Sequence, residues 1–106
     1  MKLNRIAATA AALLAAALPA LAQDSKEALY VKSMAATCAN CHGTNGKATD
    51  GSSVGSLAGM PKDYIVAQIA AFKSGARPAT IMHQLGKGFS DAQIDQIAGY
   101  FAAQKK

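Results

Sequence analysis

Cys38-Ala39-Asn40-Cys41-His42 is the stretch on which the reading of this chain turns. It places two thiols two residues apart, with an imidazole directly after the second. C-x-x-C-H is the attachment sequence for c-type haem. Two thiols at this spacing can add to the two vinyl groups of one porphyrin as thioethers. The adjoining His42 is then held under the iron as an axial ligand. Three other readings compete at this point. One is a disulfide between Cys38 and Cys41. Another is a thioredoxin-like redox pair, which needs a strand–helix context, and no strand pattern is visible. The third is a zinc site, which wants about four ligands. The chain has two Cys and two His, and the two His are far apart.

Upstream of the motif, Lys2 and Arg5 precede an Ala/Leu-rich run from Ile6 to Leu18, then Pro19 and Ala20-Leu21-Ala22. A basic start, a short apolar run and an A-x-A end predict a secretory signal peptide over residues 1–22. The run is short for a membrane span, which takes roughly 20 apolar residues. The mature domain is then residues 23–106. A chain of that size buries a modest core and often relies on a disulfide, a metal or a cofactor. With no Trp, three Phe and three Tyr, something besides side chains is expected to fill the middle.

Removing Lys2 and Arg5 takes the formal charge from +5 to +3. Lys47, Lys62, Lys73, Arg77, Lys87, Lys105 and Lys106 are spread along the chain and form no dense Lys/Arg run with interleaved aromatics. That distribution argues against a nucleic-acid partner. It leaves room for a weakly positive docking face toward an acidic protein.

The remainder reads as three helices joined by two Gly-rich loops, an all-α chain. Ala28, Val31 and Ala35 recur at helical spacing, so the first helix is expected over residues 25–37. The loop from Gly43 to Met60 carries five glycines among Asn, Thr, Asp and Ser. Pro61 opens the second helix, whose apolar face is Ile65, Ile69 and Phe72, and Gly75 stops it. A second loop is expected from Gly75 to Phe89. Ser90 with Gln93 forms a capping box for the third helix. Ile94, Ile97, Ala98 and Phe101 make its stripe, and Lys105 and Lys106 close it.

A second axial ligand would come from Met34, Met60, Met82 or His83. Met34 sits on the first helix, on a face committed to packing. Met60 lies at a loop–helix junction. Both read as gap-filling core methionines. Met82 lies in the second loop, 40 residues after His42, where a loop can close over the opposite face of a haem. It is the favoured ligand, with His83 as its rival. A His/Met pair raises the potential relative to other pairs. Adjacent residues do not easily both reach one iron, so His83 is expected to be exposed. Val54, Leu57, Ile65, Ile69, Ile81, Leu85, Ile97 and Tyr100 are candidates for haem packing, and each reads equally well as ordinary core.

From Cys38 to Phe101 the chain resembles class I cytochrome c. The residues that carry the resemblance are Cys38 to Gly46, Ser56-Leu57-Ala58-Gly59 with Tyr64-Ile65, Phe72-Lys73-Ser74-Gly75, Met82 before Phe89-Ser90-Asp91, and Ala98-Gly99-Tyr100-Phe101. Phe72 to Gly75, Ala79-Thr80-Ile81-Met82 and Gly86-Lys87-Gly88-Phe89-Ser90 are similar to the cytochrome subunits of flavocytochrome c sulfide dehydrogenase. The resemblance implies an all-α class I cytochrome c fold, three main helices and Gly-rich loops wrapped around one covalent haem. It implies Met82 as the distal ligand and an FAD-containing, sulfide-oxidising flavoprotein as partner. Class I cytochromes commonly carry a Pro after the motif whose carbonyl accepts a hydrogen bond from the proximal His. There is no Pro between Gly43 and Met60, and a backbone carbonyl near Val54 to Ser56 is expected to replace it.

With both axial positions filled by protein, the expectation is an exported, periplasmic one-electron carrier and not an enzyme. The alternatives are a free soluble cytochrome c shuttling electrons to a terminal oxidase or another redox protein, and a gas-binding or catalytic haem protein in which Met82 does not bind.

Overall fold

The computed structural model describes residues 25–106, so the expected signal peptide lies outside the described residues. Residues 1–30 and 31–106 divide into two units. Of the first, residues 25–30 are described; they are helical and exposed. The four α-helices among the described residues are α1 (residues 25–42), α2 (Lys62–Ser74), α3 (Met82–Lys87) and α4 (Asp91–Ala102). Among the described residues there is no strand, as the all-α expectation required.

α1 runs five residues further than the apolar spacing suggested and carries the whole Cys38–His42 motif on its last turn. Nothing in Cys-Ala-Asn-Cys-His breaks a helix, and the stop comes at Gly43. There φ is 88°, and the amide closes on Ala39 O at 3.0 Å. A Cβ at Gly43 would lie 2.0 Å from Lys47 O, so the turn requires glycine. A short 3₁₀ turn, Thr44–Gly46, follows.

The boundaries of α2 and α4 follow local chemistry. Pro61 is the N-cap of α2, one residue outside the helix it was expected to open. Gly75 is a left-handed C-cap whose N–H donates to Phe72 O. At α4, Ser90 Oγ accepts from the Gln93 amide, and Gln93 Oε1 accepts from the Ser90 amide. Lys105 and Lys106 fall beyond its last turn, so they do not close the helix.

α3 was not expected. Its six residues lie inside what the Gly and Pro content suggested was a loop. It has no side-chain cap and holds Gly86 in its interior, so local propensity does not explain it. Packing on α2 does. A Cβ at Gly86 would meet Ile69 Cγ2 at 3.3 Å and Lys73 Cγ at 3.1 Å, which shows how closely the two backbones approach.

The core joins α1, α2 and α4 through Met34, Ala35, Ile65, Ile97, Ala98 and Phe101. Phe101 is the largest side chain with no exposure at all. Burying one aromatic of that size stabilises by roughly 1.5–3 kcal/mol. Met34 belongs to this core and Met60 packs against it, as expected of gap-filling methionines.

Candidate functional site

Cys38 and Cys41 are three residues apart on α1. That spacing puts both side chains on one helix face, their Cβ atoms about 5–6 Å apart. Both thiols are free. Cys38 is half-buried against the core, and that burial pushes its thiol up despite a backbone hydrogen bond acting the other way. Cys41 is exposed.

His42 ends α1, and its ring is held from the next loop. Gly46 O accepts the amides of Leu57 (2.7 Å) and Ala58 (3.1 Å), closing residues 47–56 into a compact excursion. The Ala48 amide donates to Ser56 Oγ at 2.9 Å across its neck. This brings Gly55 O to 2.6 Å from His42 Nδ1. A carbonyl can only accept, so Nδ1 carries the proton. In the neutral ring Nε2 then keeps its lone pair, the form in which an imidazole binds a metal. The expected carbonyl near Val54 to Ser56 is therefore that of Gly55.

Met82 is the first residue of α3 and is half-buried. His83 is also half-buried, and not exposed as the sequence suggested. Its Nδ1 is the one buried side-chain nitrogen or oxygen without a hydrogen-bond partner among the described residues. His83 is the second residue of α3, the helix whose Gly86 approaches Ile69 and Lys73 of α2. The structure thus brings Cys38, Cys41 and His42 together on one helix end, while Met82 and His83 come from a separate short helix.

Of the apolar residues considered for haem packing, Ile65 and Ile97 are in the protein core at 5% and 3% exposure. Tyr100 is half-buried, and its hydroxyl donates to Asn45 Oδ1 at 2.8 Å. Val54, Leu57, Ile69 and Leu85 are half-buried, and Ile81 is 57% exposed. Two free thiols on one face, an imidazole with its tautomer fixed, and partly exposed apolar side chains fit a covalently held porphyrin. No group of three His, Cys, Asp or Glu residues able to hold a metal ion occurs among the described residues.

A family model described as cytochrome C oxidase, cbb3-type, subunit III matches residues 22–101. The chain belongs to this family of c-type cytochromes. The cytochrome carries haem c covalently, with Cys38 and Cys41 spaced for it. Its helical architecture accords with the class I cytochrome c fold.

The cytochrome is similar to the cytochrome subunit of sulfide dehydrogenase of Chlorobaculum tepidum, at 37% identity over 70 residues, 66% of this chain and 62% of that protein. It is similar to the thiosulfate dehydrogenase electron acceptor of Thiomonas intermedia, at 35% over 71 residues, 67% of this chain and 33% of that protein. Cytochrome c-554(548) of Halomonas halodenitrificans is 33% identical over 72 residues, 65% of this chain and 86% of that protein. The cytochrome spans less than two thirds of the length of the first two. No helix among the described residues is long and apolar enough to cross a membrane.

Sequence reasoning missed α3 and the seat of His83. It also passed over Lys73 as more than a surface charge. The signal that could have been read is Gly86, a residue without a side chain placed where a second helix can approach.

Proposed function

We propose that this cytochrome is exported, loses residues 1–22, and works in the periplasm as a one-electron carrier. Cys38 and Cys41 would hold the haem through thioethers, and His42 and Met82 would bind its iron. The observation that carries the reading is the Gly55 carbonyl on His42 Nδ1, which orients the ring and frees Nε2. Bound haem supplies a single ferric/ferrous couple. The chain's own residues supply the rest. The Gly55 carbonyl makes His42 a better donor. The Met82 thioether, a soft donor, would favour the reduced state and would leave no open position for substrate. Leu57, Ile69 and Leu85 are half-buried, and such apolar side chains would limit water around a bound haem.

The electron source we favour is an FAD-containing, sulfide-oxidising flavoprotein, because a relative named as the cytochrome subunit of sulfide dehydrogenase matches at 37% identity. A second reading is a free carrier meeting several redox proteins. It is favoured by the Halomonas cytochrome c-554(548), of which this chain covers 86%. Such encounters use small, weak interfaces. Purification from the native periplasm separates the two. Co-elution with a flavoprotein through gel filtration at 0.5 M salt, on the order of several times physiological ionic strength, supports the subunit. Elution as a lone cytochrome of monomer size contradicts it and supports the free carrier.

A further inference from the structure

Helix α3 carries the sixth ligand proposed above, yet little in its own sequence holds it. It is six residues long, has no side-chain cap and no acidic residue in its first turn, and contains one glycine with another at its C-cap. Helices shorter than about 12 residues are marginal without packing. Its support comes from Lys73 on the last turn of α2. The aliphatic stem of Lys73 lies over Gly86, whose Cβ would sit 3.1 Å from Lys73 Cγ. Its ammonium then donates to Phe89 O at 3.3 Å and to Asp91 Oδ1 at 2.7 Å. One side chain thus spans α2, the backbone just after α3, and the first turn of α4.

A second ion pair joins α2 to α4, Lys62 with Asp95 at 2.8 Å. It serves as an internal comparison. Lys62 is at the opposite end of α2, its side chain is 43% exposed against 26% for Lys73, and its ammonium has no carbonyl partner near α3.

We infer that Lys73 is a positioning residue for the Met82–iron bond: it latches the segment that follows α3 to α2 and α4, and so keeps Met82 seated. The inference rests on Met82 being the sixth ligand. Lys73 touches neither haem nor iron in this account. It acts through α3, by setting how often that short helix lifts away.

The test is imidazole binding to the ferric, haem-loaded protein. Imidazole displaces a methionine ligand, so its apparent affinity reports how readily the Met82 segment opens. Global stability is followed separately by circular dichroism in guanidinium. Lys73→Met keeps the stem over Gly86 and removes the ammonium. It is expected to raise imidazole affinity roughly tenfold, the size expected from losing one charge-assisted hydrogen bond and one ion pair. Lys73→Arg should restore the wild-type value within about twofold, and Lys62→Met should stay within about twofold of wild type although it breaks an ion pair between the same helices. Should Lys73→Met not fold, Asp91→Asn removes the carboxylate charge of the ion pair alone and is expected to raise affinity about threefold. Equal effects from Lys73→Met and Lys62→Met, or none from Asp91→Asn, overturn the inference. A wild-type ferric spectrum without a methionine–iron band overturns the ligand reading beneath it, and is seen before any imidazole is added.

Discussion

His42 Nδ1 and Gly55 O are 2.6 Å apart across thirteen residues of chain. The contact ties the last residue of α1 to the loop that follows, and it uses a backbone carbonyl at a position where no proline is present. Its geometry depends on Gly46, whose carbonyl gathers Leu57 and Ala58, and on Gly43, which ends the helix.

Because the acceptor is backbone, the side chain at position 55 is expected to be free to change. A Cβ there meets nothing within 4 Å, and Gly55 is not in the left-handed region. Gly55→Ala should leave the visible spectrum and potential unchanged while raising stability by about 0.4–1 kcal/mol through the unfolded chain. Thermal unfolding followed at the haem band checks both. A shifted potential would mean that the loop carries the carbonyl differently.

Gly46 sits at φ 80° with Phe101 Cδ1 2.6 Å from where its Cβ would be. Gly46→Ala combines left-handed strain with a clash against a fully buried ring and should cost about 1–3 kcal/mol. Phe101→Ala empties the same contact from the other side and should cost about 3–5 kcal/mol. Guanidinium denaturation of both variants measures this. A loss under about 0.5 kcal/mol for either, the size of an ordinary surface change, would contradict the packing described.

The hydrogen bond from Lys73 to Asp91, reinforced by the lysine's charge, holds the Asp91 carboxyl below its ordinary value. A carboxylate depressed in the folded state stabilises above its unfolded pKa, and that contribution fades as pH falls below about 4 toward the folded value. Asp91→Asn should therefore be slightly less stable than wild type at neutral pH, with the gap narrowing in acid. The effect is small because Asp91 is 97% exposed. Denaturation midpoints at about pH 7 and about pH 3 decide it, and a gap that does not narrow would sink the assignment.

The parts of this fold that were legible in sequence are those written in local chemistry. Gly75 stops α2 because it reaches the left-handed region, and Ser90 starts α4 because its hydroxyl and Gln93 satisfy each other's amides. The motif's spacing named the cofactor, and the lack of a proline pointed to a carbonyl between positions 54 and 56. What was not legible depends on contacts between distant residues. α3 exists because Gly86 lets it settle on Ile69 and Lys73, and nothing in Met82–Lys87 taken alone says so. The half-buried His83 lies on that same helix. The extension of α1 to His42 was hidden for a different reason: the motif has no apolar periodicity to extend the pattern.

Met82 as the sixth ligand is the claim on which the rest depends, and one experiment reaches it directly. The protein is produced in a host competent in cytochrome c maturation, and its visible spectrum is recorded oxidised and reduced for wild type, Met82→Ala, Met34→Ala and Met60→Ala. The account predicts a sharp c-type reduced spectrum with a weak long-wavelength methionine–iron band in the oxidised form. That band is lost in Met82→Ala alone, and the reduced Met82→Ala protein then binds carbon monoxide. A wild-type spectrum without the band, or a band that survives Met82→Ala, would contradict it.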